Sequence, residues 1–166
     1  RYFNARSLII VPTISLTQQM YTDFASYDPE WNVEQLCYII KQGQEKTSDK
    51  QVIISTWQSI YKLPKKYFKD FEFVVGDEAH LFKAKSLKTV MSKLTNAKYR
   101  FGTTRTIDDA ETHKLILEGL FGPLHSVTTT KDLIDANYLS KFQIKVLILK
   151  YGEEDINAIK KKSYQE

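Results

Sequence analysis

Residues 73–82, FVVGDEAHLF, run from an apolar segment into a glycine, two adjacent carboxylates and, two positions on, a histidine. Neighbouring carboxylates lose hydration and repel each other when they follow an apolar strand, so the pair calls for a compensating partner. In open α/β sheets, ligands bind outside the carboxyl ends of the strands, and Asp77 and Glu78 stand at such an end. A divalent cation there neutralises them. Mg²⁺ keeps several of its waters and is held by one or two carboxylates together with substrate phosphates. Asp77 can then organise the hydrated ion while Glu78 positions or deprotonates an attacking water. Taken alone, the two residues also fit a solvated Asp-Glu with no chemistry.

Around this segment, short apolar runs alternate with longer amphipathic ones. SLIIV (7–11), QLCYII (35–40), QVIIS (51–55), FEFVVG (71–76), YRFGT (99–103) and FQIKVLIL (142–149) read as strands. The first, third and fourth are almost wholly apolar, as strands covered on both faces are. ISLTQQMYTDFASY carries Ile14, Leu16, Met20 and Phe24 in a helical stripe, with Thr13 as N-cap. SLKTVMSKL (86–94) and ETHKLILEGLF (111–121) give two more helices, the last closed near Gly119 and Gly122-Pro123. The polar segments 41–50 and 105–112 read as loops. This alternation predicts an α/β fold around an open, mostly parallel sheet. The charged tail from Gly152 places a domain boundary after residue 151, with 152–166 a surface helix or linker.

The 166 residues, 42% hydrophobic and 27% charged, are enough for one domain with a real core. A net charge of +4 permits an anionic partner such as nucleic acid without demanding one. The single cysteine, Cys37, excludes an internal disulfide and any multi-cysteine metal site, and its apolar neighbours mark a buried structural thiol. No apolar run approaches a membrane span. The chain opens on Arg1, almost directly into a strand, and reads as a piece of something longer.

Four segments in order resemble motifs of superfamily 2 helicases. IIVPTISLTQQ (9–19) resembles motif Ia, VIISTWQSI (52–60) the motif after it, VVGDEAH (74–80) motif II, and RFGTTRTIDD (100–109) motif III. Residues 117–151 resemble the segment that closes the first motor domain of phage helicases acting on branched DNA. The resemblance implies a RecA-like domain, a three-layer sandwich with helices on both faces of a mostly parallel sheet. It implies ATP and Mg²⁺ as nucleotide and cation, with Asp77 holding Mg²⁺ through water and Glu78 acting on the hydrolytic water. It gives His80, Thr104 and Thr106 the coupling of hydrolysis to domain movement, and gives Pro12, Thr13 and Thr56 contacts to a DNA phosphate backbone. Branched or duplex DNA is the implied partner, and the cytoplasm, that of an infected host if phage-encoded, the implied location.

The chain departs from the family pattern in places. Arg105 and Ile107 replace alanine and proline in motif III, and Gly76 replaces an aliphatic residue before Asp77. Arg105 fits a nucleic-acid contact, an interdomain contact or an exposed charge. Thr13 fits an N-cap, a phosphate contact or both. Trp57 fits the core or a base-stacking platform. His113 and His125 match no motif and read as surface or helix-end residues. None of the six glycines begins a Gly-Lys-Ser/Thr, so the loop that cradles β- and γ-phosphates is expected upstream of Arg1, and a second motor domain beyond the tail. The fragment alone is expected to hydrolyse ATP negligibly. Three other readings stand beside this one: a nucleic-acid-binding module without ATPase activity, and two enzymes that share these motifs, the motor subunit of a restriction endonuclease and an RNA helicase.

Overall fold

The computed structural model describes residues 5–28, 30–41, 43–105, 111–141 and 145–148. Five strands, β1 (Ser7–Val11), β2 (Cys37–Ile40), β3 (Val52–Thr56), β4 (Phe73–Asp77) and β5 (Tyr99–Thr103), form one sheet in the order β2-β3-β1-β4-β5. Every pairing is parallel. Because side chains alternate across a strand, β1 sends Leu8 and Ile10 into one apolar cluster and Ile9 and Val11 into another. Ile53 and Ile54 divide in the same way, so the central strands are buried on both faces, as their near-continuous apolar composition requires.

One face is covered by α1 (Ile14–Tyr27) and the one-turn α2 (Val33–Leu36), through Leu16, Met20, Phe24 and Leu36. On the other lie α3 (Trp57–Ile60), α4 (Lys85–Lys93), α5 (Glu111–Phe121) and the 3₁₀ turns Lys65–Phe68 and Ala79–Lys83. Phe68, Phe71, Phe82, Met91 and Leu94 fill that side and are essentially inaccessible. The result is a three-layer α/β sandwich of the RecA-like kind, as expected. β5 is different. It is an edge strand among the described residues, and Tyr99 and Phe101 on its α1-side face remain 39% and 51% exposed, beside Phe73.

Most expected elements stand within two residues of their predicted bounds. β2 starts later than expected because Asn32 caps the short α2, its Oδ1 accepting from the Gln35 N–H at 3.1 Å. Of the strand expected over 142–149, residues 145–148 belong to no strand and are exposed, and the rest of the run lies outside the described residues. Val146, Leu147 and Ile148 are apolar enough for a strand but belong to no strand pair among the described residues.

The chain divides into two compact units, Arg1–Leu124 and His125–Glu166; the boundary expected after residue 151 lies outside the described residues. In the second unit, α6 (Thr130–Asp135) starts with a capping box between Thr129 and Asp132, which holds the Asp132 carboxyl below its ordinary range.

Cys37 is 4% exposed, and burial pushes its thiol up to about 11. The folded state therefore holds the thiol proton more tightly than the unfolded chain. Stability contributed by this group falls as pH rises from the ordinary thiol range toward 11. At pH 8 an alkylating reagent is expected to label Cys37 at least about 10-fold more slowly in the native protein than in urea, since only the thiolate reacts. Equal rates would show that the site is open.

Candidate functional site

β4 delivers Asp77 to the carboxyl end of the sheet, and the chain turns sharply at the next residue. Glu78 adopts the left-handed conformation (φ 50°, ψ 53°), unusual for a residue with a side chain. Its carbonyl accepts from the Leu81 N–H at 2.9 Å, which starts the 3₁₀ turn. This folds His80 back on Glu78, with His80 Nδ1 3.2 Å from Glu78 Oε2. The neighbouring strand completes the group. Register sets Thr103 opposite Asp77, and the Thr103 hydroxyl donates to Asp77 Oδ1 at 2.9 Å. One residue on, Thr104 Oγ1 lies 2.9 Å from His80 Nδ1.

Two strand ends thus bring Asp77, Glu78, His80, Thr103 and Thr104 together. Nδ1 carries either one hydrogen or one in-plane lone pair. It can therefore donate toward Glu78 or accept from the Thr104 hydroxyl, and the imidazole stands as a shared joint between motif II and β5. Among the described residues no group of three or more His, Cys, Asp or Glu side chains could enclose a metal ion. The donor set fits Mg²⁺ in its hydrated form: Asp77 is half-buried, so water reaches it, and Thr103 orients its carboxylate.

The second candidate group lies at the same end of the sheet. Pro12 and Thr13 follow β1, Thr56 ends β3, and all three line a cleft of about 490 Å³ with Gly43, Lys46, Gln58 and Ser59. Thr13 caps α1, its hydroxyl oxygen accepting from the Leu16 N–H at 3.3 Å. Thr56 is only 4% exposed, and its hydroxyl pairs with that of Ser59 at 3.0 Å. Lys46 Nζ donates to the Ser59 carbonyl at 2.9 Å, tying the 43–50 loop to this wall.

The remaining residues are quickly placed. Thr106 lies outside the described residues. Arg105 is exposed. Trp57 packs against the core, edge-on to Tyr61 with centroids 6.1 Å apart, which favours its core alternative. His113 is half-buried on α5, and His125 is exposed. Thr103, Gln58 and Ser59 lie inside the quoted motifs but are given no role there, and Lys46 lies outside them. Thr103 becomes visible only once β4 and β5 are known to pair in parallel, 26 residues apart.

The backbone at Glu78 carries a testable cost. A left-handed glutamate costs roughly 1–2 kcal/mol, and a glycine there gives back roughly 0.5–1 kcal/mol in unfolded-state entropy. Glu78→Gly is expected to raise stability by roughly 0.5 kcal/mol, visible as a higher urea midpoint, while removing the carboxylate. A lower midpoint would show that the turn is not strained.

Fold and site together define a RecA-like motor domain of the superfamily 2 helicase type. Residues 1–109 match the family described as type III restriction enzyme, res subunit, and the chain belongs to that family. It is 30% identical over 166 residues to the ATP-dependent DNA helicase UvsW of Enterobacteria phage T4, covering 99% of this chain and 33% of that protein. The crystal structure of T4 UvsW helicase superposes with a TM-score of 0.62 at 33% identity, covering 73% of this chain and 44% of that one. The Pyrococcus furiosus Hef helicase domain shares the fold, with a TM-score of 0.60 at 18% identity over 73% of this chain and 28% of that one. The chain thus spans about a third of its curated relative.

Proposed function

We propose that, within its whole protein, this chain is the first motor domain of an ATP-dependent DNA helicase or translocase that remodels branched DNA. The observation that carries the proposal is that one end of one sheet holds both the Asp77–Glu78–His80 group and the Pro12–Thr13–Thr56 cleft. Adjacent placement on rigid strands is what a motor needs to make hydrolysis and grip depend on each other. The T4 relative over nearly the whole chain is an ATP-dependent DNA helicase.

In this proposal Glu78 orients and deprotonates the attacking water, and Asp77 holds hydrated Mg²⁺, which supplies charge neutralisation at the phosphates. His80 passes the state of Glu78 to Thr104 and along the chain to Thr106. Pro12 and Thr13 present the start of α1, whose backbone N–H groups suit a phosphate. Thr56 shapes the opposite wall. Such contacts position a strand without reading its sequence. The phosphate cradle and its lysine come from an upstream segment of the whole protein, and a second motor domain closes the site. Among the described residues β5 is an edge strand, with Phe101 and Tyr99 exposed on it. The cytoplasm, that of an infected host if phage-encoded, is the proposed location.

The family description names a restriction-enzyme subunit, so the test must separate the motors. The whole protein is given ATP and a labelled branched DNA, a linear duplex or an RNA duplex, and strand separation is followed. ATP-dependent separation preferring the branched DNA is expected. Movement along linear DNA without separation favours a restriction motor, separation of RNA alone an RNA helicase, and ATP-independent DNA binding a module without ATPase activity.

A further inference from the structure

Gly76 and Gly102 face each other in register on β4 and β5, each one residue before a site residue, Asp77 and Thr103. Glycine weakens a strand interior and signals a close approach, and here the approach is specific. A Cβ on Gly76 would stand 2.6 Å from Phe82 Cζ and 3.0 Å from Phe121 Cζ. One on Gly102 would stand 2.9 Å from Ala79 Cβ and 3.0 Å from Phe121 Cδ2. The two glycines therefore make a notch in the sheet, and two aromatic rings fill it, their centroids 5.1 Å apart at 75°.

The rings come from different elements. Phe82 belongs to the 3₁₀ turn that follows Glu78 and is 1% exposed, while Phe121 ends α5. Phe121 touches both strands, and its ring contacts the turn through Phe82. The turn can lie this low on the sheet only because both strands lack a Cβ at the notch. Ala79, next to Glu78, rests on Gly102 in the same way.

We propose that Phe121 is a positioning residue: acting through Phe82 in the Gly76–Gly102 notch, it sets where the turn holds Glu78 and His80. α5 is thereby coupled by direct packing to the hydrolytic group. The catalytic part rests on the function proposed above; the positioning part does not.

The whole protein separates the two with three variants. Leu117→Ala removes a buried side chain of α5, 4% exposed, one turn from Phe121, and serves as the packing control. In Phe121→Ala, exchange of the Leu81 amide, which closes the Glu78 turn, is expected to quicken by about 10-fold relative to Leu117→Ala at matched global stability. The kcat of DNA-stimulated ATP hydrolysis is expected to fall by roughly 10- to 100-fold with KM for ATP unchanged, since small misplacements of a reacting group cost this much. Phe121→Leu, which refills part of the notch, is expected to recover part of the loss and guards against a misfolded alanine variant. Equal Leu81 exchange in Phe121→Ala and Leu117→Ala overturns the positioning role. Faster Leu81 exchange in an enzyme whose wild type does not hydrolyse ATP keeps that role and overturns the proposed function instead.

Discussion

Glu78→Gln in the whole protein is expected to lower DNA-stimulated ATP turnover by about 100-fold or more, the scale of general-base removal, with nucleotide binding retained. The substitution keeps side-chain size and the left-handed turn but replaces the carboxylate that lies 3.2 Å from His80 Nδ1. Only the basic oxygen and its charge are lost. Asp77 keeps its Thr103 hydrogen bond, so the loss falls on turnover and not on assembly of the site. Turnover and nucleotide affinity, measured side by side, check this. An unchanged rate would remove Glu78 from the chemistry and return the carboxylate pair to a solvated strand end.

Ile53→Ala is expected to destabilise the domain by about 2–5 kcal/mol, out of the 5–15 kcal/mol typical of a whole protein. Ile53 is fully buried at the centre of the sheet, between Leu8 of β1 and Tyr38 of β2, and faces the cluster that includes Ile10, Ile60 and Phe68. Neighbouring strands cannot collapse into the space without breaking register, so the cavity persists. Ile14, 60% exposed beside the cleft, is the contrast: Ile14→Ala is expected to change stability by no more than about 0.5 kcal/mol. Urea midpoints with unchanged m-values check both. A similar small effect at the two positions would mean that the centre of the sheet is not packed as described.

The core of the fold was legible because its strands are buried on both faces. SLIIV and VIIS leave no room for helical periodicity, and β1 spans the predicted 7–11. α1 was legible from its stripe and from Thr13, which caps it. Weaker elements were not: α2 is a single turn set by Asn32, and the 3₁₀ turns at 65–68 and 79–83 depend on packing that no local pattern records. Residues 145–148 misled because an apolar run describes a strand without saying whether any partner strand is within reach.

The site divides along the same line. Asp77, Glu78 and His80 fall within four consecutive residues and are visible in FVVGDEAH, whereas Thr103 and Lys46 enter through register and loop geometry. Gly76 looked like a departure from its family's pattern. Its cause, the Phe82 and Phe121 rings, comes from six and 45 residues downstream.

The most direct test of the central claim, that this end of the sheet couples phosphate hydrolysis to a grip on DNA, is ATP turnover by the whole wild-type protein with and without DNA and Mg²⁺. Turnover that requires Mg²⁺ and rises by at least about 10-fold when DNA is added is the predicted result, since a grip that selects the hydrolytic state must shift its population. DNA binding with no ATP turnover under any of these conditions would contradict it.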